Sequence, residues 1–173
     1  MTAPELNPDQ EAQCRRLAIS HGDIDDACGY ASRLKDLPPR TSGERSPLIV
    51  EREALLIALI VSYARPFKRN AVGDNTAPSL DVESVISLAP EQARLHRHLI
   101  TLRDKHFAHA DPGPLQLSLR EESGIGTVAL MKEPRPPISP SAAAEYLSLA
   151  EAVRDAIVVR LRDFGVEAIV REG

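Results

Sequence analysis

The chain has 173 residues, 27% of them charged, with a formal net charge of −4 and a pI near 5.7. That length suits one domain with its own apolar core, and the acidic balance excludes a protein that coats nucleic acid nonspecifically. Aromatics make up only 3% and tryptophan is absent, so Leu, Ile, Val and Ala must build the interior, a mixture suited to helices packed on helices.

Asn7-Pro8 supplies an N-cap and first-turn pair, after which Leu17, His21, Ile24, Cys28, Ala31 and Leu34 recur at helical spacing until Pro38-Pro39. This predicts one long first helix, weakened locally by Gly22 and Gly29. Cys14 and Cys28 would lie roughly 20 Å apart along it, too far for a disulfide. Ser46-Pro47 opens a second helix through Leu48, Leu55, Leu56, Leu59, Ile60 and Tyr63. It is apolar over much of its circumference and is expected at the centre of the bundle, with Pro66 ending or kinking it.

Residues 67–79 are polar and turn-rich and read as a surface loop. A short helix over 79–88 follows, and Pro90 begins the next, whose core face includes Leu95, Leu99 and Leu102. Asp111-Pro112-Gly113-Pro114 must stop that helix, which places His109 in its final turn. Alternation of Leu115, Leu117 and Leu119, with a return over Val128–Met131, predicts a β-hairpin. After the proline-rich linker Pro134–Pro140, a last helix carries Ala143, Leu147, Ala150, Ile157, Leu161 and Phe164, with Gly165 as its C′ residue. The expectation is one all-α domain over 1–173, a bundle of four to five helices with a small β-hairpin insertion. With no signal-like N-terminus and no apolar run of spanning length, it reads as a soluble, reduced, cytoplasmic protein without a membrane segment.

Chemistry concentrates between positions 94 and 109. Arg94, Arg97, Arg103 and Lys105 stand there with four of the five histidines, His96, His98, His106 and His109. Arg103 and His109 pair a fixed cation with a titratable imidazole, which is a minimal kit for cleaving RNA without metal. The ribose 2′-hydroxyl attacks phosphorus, the histidine moves protons, and the arginine stabilises the phosphorane charge. Six positions apart on an α-helix, the two do not share a face. They meet at one phosphate if the helix unravels before Pro112 or if a symmetric dimer brings a second pair alongside. The alternative is structural: His109 bonds the free carbonyls of a helix end and Arg103 covers apolar surface or pairs with an acid. Asp104 has two readings as well, orienting His109 or Arg103, or simply solvated.

The histidines also raise a metal site, but no cysteine or glutamate completes a recognised ligand spacing, so no metal or other cofactor is expected and the histidines read as surface or RNA-facing groups. Lys105, His106, Arg65 and Lys68 are candidates for RNA phosphate contacts. Glycine-rich phosphate loops, Cys-x-x-Cys pairs and Gly-x-Ser-x-Gly elbows are missing from the sequence.

Arg103-Asp104 followed after four residues by His109 resembles the Arg-polar-x4-6-His signature of the HEPN superfamily, the higher eukaryotes and prokaryotes nucleotide-binding domains. Tyr63-Ala64-Arg65-Pro66-Phe67 is similar to a run in some bacterial members. The likeness is sharp over about fifteen residues and architectural elsewhere. It implies a helical bundle, a homodimer whose paired arginines and histidines line a cleft, and metal-independent endoribonuclease activity in toxin-antitoxin or defence systems, with Arg103 and His109 catalytic and Asp104 in support. An antitoxin such as a small nucleotidyltransferase is then an expected partner beside RNA. Other members only bind, so a noncatalytic module for RNA, a nucleotide or a protein is the alternative.

Overall fold

The computed structural model describes residues 6–38, 47–68, 70–72, 75–77, 79–104, 116–122, 126–132 and 139–166. Five helices among them pack as a bundle. The first, α1 (Pro8–Asp36), starts where the sequence demands. Asn7 accepts from the Gln10 N–H at 2.9 Å, and the Gln10 side chain accepts from the Asn7 N–H at 3.0 Å. Such a capping box satisfies two otherwise orphaned donors and contributes on the order of 1 kcal/mol. Leu37, immediately before Pro38, is already extended, as the proline ring requires.

Helix α2 (Pro47–Ala64) is the apolar helix expected, burying Leu56, Leu59, Ile60, Tyr63 and Ala64. It is not the centre of the bundle. Its outer face is open, with Val50 70% and Ile57 41% exposed, while α1 packs along both α2 and the last helix. Apolar composition around a helix limits where it can sit without deciding which face is covered. At Pro66 the chain tightens into a 3-10 turn over Arg65–Phe67, and Lys68 leaves it extended.

Part of the stretch expected to be a loop forms a short antiparallel ladder, β1 (Asn70–Val72) with β2 (Asn75–Ala77), in the register Asn70↔Ala77 and Val72↔Asn75. Two residues separate the strands, the length of the shortest hairpin connection. The helix expected over 79–88 is a single turn, α3 (Val82–Val85), capped by Asp81 and followed by extended Ile86. Its β-branched residues favour leaving helical geometry.

Helix α4 (Pro90–Leu102) begins at the expected proline and buries His96, Leu99 and Leu102. The continuation expected up to the proline cluster, with His109 in its final turn, lies outside the described residues. The α-helix runs to Leu102, and Arg103 keeps helical angles, φ −55° and ψ −47°, with its N–H bonded to the Leu99 and Ile100 carbonyls, before a π-wound step at 103–104. Further on, β3 (Gln116–Glu122) pairs antiparallel with β4 (Gly126–Lys132), in register Gln116↔Lys132 through Glu122↔Gly126, over the stretch where alternation predicts a hairpin.

The last helix, α5 (Pro140–Arg162), has Ser139 as N-cap, accepting from the Ala142 N–H at 3.1 Å. It buries Ala143, Tyr146, Leu149, Ala150, Val153, Ile157 and Leu161 against α1. Gly165 has φ 76°, and the Gly165 and Val166 N–H groups bond back to the Arg162 and Leu161 carbonyls at 2.9 and 3.2 Å, a Schellman end. The core lies between α1, α2 and α5, and α4 closes one side. Fully buried Ile24, Leu149, Val153 and Ile157 each contribute roughly 1.5–3 kcal/mol of burial before entropy is counted. Cys14 and Cys28 both lie on α1 as free thiols. Among the described residues no helix is long and apolar enough to cross a membrane.

Candidate functional site

The candidate residues gather where the end of α2 meets α4, and α1 builds the floor. Arg16, only 6% exposed, reaches from α1 to donate to the Pro66 carbonyl and, at 3.4 Å, to the Arg65 carbonyl. A cation at a helix C-terminus satisfies carbonyls that have no intrahelical partner and meets the negative end of the dipole. The Leu80 N–H adds a second bond to the Pro66 carbonyl at 2.7 Å. Burial lowers the Arg16 pKa, partly offset by Asp23. Asp23 lies 3.5 Å from Arg65; burial raises its carboxyl, and the Arg65 and Arg16 charges only partly reverse that. Arg16 Nε and Ser20 Oγ are buried without a hydrogen-bond partner.

Above this floor, an aromatic cluster fastens α2 to α4. The Phe67 ring meets the His96 imidazole edge-on at a centroid distance of 4.7 Å, and the Tyr63 ring lies tilted by 48° at 5.5 Å from Phe67. The Tyr63 hydroxyl lies 2.9 Å from His96 Nδ1. Burial drives the Tyr63 pKa far up, and burial, then the Arg97 charge, lowers that of His96. The pair is therefore a neutral phenol hydrogen-bonded to a neutral imidazole, with the direction of the bond set by the imidazole tautomer. His96 is a core histidine and not the surface or RNA-facing group the sequence implied, because its face of α4 looks onto α2. His98 is exposed on another face. Among the described residues no group of three or more His, Cys, Asp or Glu side chains is placed to hold a metal ion.

Beyond Phe67, Lys68 crosses to the end of α4 and its ammonium bonds Asp104 Oδ2. Arg103 Nη1 bonds the other oxygen, Oδ1, at 3.1 Å. One carboxylate thus holds two cations from separate elements. All three side chains stay accessible, at 28% for Lys68, 30% for Arg103 and 37% for Asp104. Burial alone would raise the Asp104 carboxyl, but the bonds from Lys68 and Arg103 and their charges hold it below the usual range.

Of the residues singled out by sequence, the structure joins Arg103, Asp104 and Lys68. Arg65 stands on the same turn and is turned toward Asp23 instead. His109, Lys105 and His106 lie outside the described residues. Nothing local marks Arg16 as the group that holds the turn, because its partners are about fifty positions away. Tyr63 and Phe67 belonged to the run noted by resemblance, whereas their packing on His96 had no local signature.

A second feature lies on the other side of α4. A cleft of about 730 Å³ opens between α4 and α5, with Leu95, Ala142 and Tyr146 among its walls and Glu91, Arg94 and His98 among its polar groups. Its volume suits a small ligand, while its charges are mixed and select none. Comparisons with protein-family models, with curated proteins and with solved structures give no match for this chain.

Proposed function

We propose that the chain is a HEPN-like helical domain acting as a metal-independent endoribonuclease, a homodimer in the bacterial cytoplasm serving a toxin or defence role. The observation that carries this reading is the convergence of Lys68 and Arg103 on one anion at the point where α4 leaves α geometry. A phosphodiester presents the same kind of target, two anionic oxygens to two donors. In the proposed reaction the 2′-hydroxyl attacks the adjacent phosphorus, the P–O5′ bond breaks, and a 2′,3′-cyclic phosphate and a free 5′-hydroxyl result. Arg103 offsets the phosphorane charge, and His109 carries the protons on the strength of the sequence motif. The motif needs its arginine and histidine brought to one phosphate, and in this reading a second copy supplies the other half of the cleft. An antitoxin of the nucleotidyltransferase kind is the partner this reading expects.

The test is incubation of the purified protein with single-stranded RNA in the presence of a chelator. Cleavage should leave 2′,3′-cyclic ends and fall at least 100-fold in Arg103→Ala and in His109→Ala, both still folded. RNA left intact across buffers and substrates refutes the reading. A noncatalytic module is favoured by one specific observation, that Asp104 already pairs with both cations of the cluster in a chain at −4. It is selected if RNA binds, survives intact, and still binds to His109→Ala.

A further inference from the structure

The carboxylate at the centre of the cluster raises the question of what Asp104 does there. Lys68 and Arg103 arrive from different elements, and their nitrogens meet different oxygens of one group. Two fixed cations spaced to grip both oxygens of a carboxylate are spaced to grip two oxygens of a phosphate. All three side chains remain partly accessible, so the ion pairs are of the screened kind, which cost little to exchange for an equivalent anion. The buried Arg16 and the bond from Leu80 hold the Pro66 carbonyl of the turn from which Lys68 extends, so the backbone on the Lys68 side of the cluster is anchored independently of Asp104.

We infer that Lys68 and Arg103 form a phosphate-binding site that the chain fills with its own Asp104 until a phosphodiester displaces it. Asp104 is then a competing anion, and a positioning residue for the two cations in the unliganded protein. The role in RNA rests on the reading above; the anion exchange itself can be followed with inorganic phosphate. One negative charge leaves the cations as another arrives, so the site's net charge hardly changes with a diester. The competition sets a threshold for phosphate affinity. A neutral side chain at this position should lower the threshold, and loss of Lys68 should remove half of the grip.

The experiment is a titration of the full chain with inorganic phosphate at low ionic strength, followed by NMR and calorimetry, with circular dichroism on every variant. Asp104→Asn should bind phosphate about five-fold more tightly than the parent, the scale of one exposed ion pair. The gain should be absent in Lys68→Met/Asp104→Asn. Folded Asp104→Asn with unchanged or weaker binding overturns the inference. A measurement on the parent protein covers the case in which that variant does not fold. As phosphate saturates the cations, the Asp104 carboxyl carbon should titrate nearer to its ordinary range, and a titration curve unmoved by saturating phosphate overturns the inference as well. RNA left uncut while phosphate behaves as described would sink the nuclease reading alone. Cut RNA with no phosphate exchange would sink this one alone.

Discussion

Tyr63→Phe removes one oxygen and leaves the ring in place, which makes it a sharp probe of how α2 is tied to α4. The hydroxyl is buried and lies 2.9 Å from His96 Nδ1, so its loss leaves a buried ring nitrogen without that partner. Such an orphan costs about 1–3 kcal/mol, and for a chain of this length about 2 kcal/mol lowers Tm by roughly 4–8 °C. His96→Leu strands the hydroxyl instead and should cost a similar amount. The double variant replaces both polar partners with apolar groups, so its cost should fall short of the sum of the singles by about 1–2 kcal/mol. Urea or thermal unfolding at pH 8, where the imidazole is neutral, closes the cycle. Additive costs, or a Tyr63→Phe variant that melts within 1 °C of the parent, would show that the contact carries no energy.

Acid should weaken this same pair: the imidazole is held below its ordinary 6.5 by burial first and Arg97 second, so the unfolded chain takes up the proton earlier. Its contribution is fully present above that value and lost as pH falls through it toward the folded pKa; His96→Leu should flatten the slope of stability against pH there. Gly29 lies exposed on α1 and an added Cβ meets nothing within 4 Å, so Gly29→Ala should stabilise by about 0.5–1 kcal/mol, read as a higher denaturant midpoint. Gly165→Ala should destabilise by about 1 kcal/mol, because φ 76° strains any residue with a Cβ. Burial pushes the Cys28 thiol up to about 11, so iodoacetamide at pH 8 should modify it only after unfolding, as mass spectrometry of the native and denatured protein will report.

Helix starts were legible because their signals are local. Asn7-Pro8 and Ser139-Pro140 each place a side-chain acceptor before a residue with no N–H to satisfy, and Gly165 ends α5 by a geometry that only glycine adopts freely. The way α4 is tied to the end of α2 was not legible. Pro112 sets only the furthest point the helix could reach, and the ion pair from Lys68 to Asp104 joins residues thirty-six positions apart, which no local pattern reveals. The centre of the bundle was misjudged for a related reason. An apolar circumference marks α2 as able to be buried everywhere, whereas α1, with charges at Asp23, Asp25 and Asp26, takes the central place because its partners cover it on two sides.

Arg16 shows how deep the unreadable part of the site goes. A rule that places arginines outside is correct for most of this chain, yet here one lies buried with its Nε unpaired, an arrangement that costs stability unless it secures something else. What it secures is the turn at Pro66, and that turn aims Lys68 at Asp104, which in turn binds Arg103. The position of the surface cations therefore depends on a core cation with no place in the motif. Arg103 is accordingly not a free guanidinium awaiting substrate. Its guanidinium is already engaged by the neighbouring carboxylate through an accessible ion pair of the kind that salt screens.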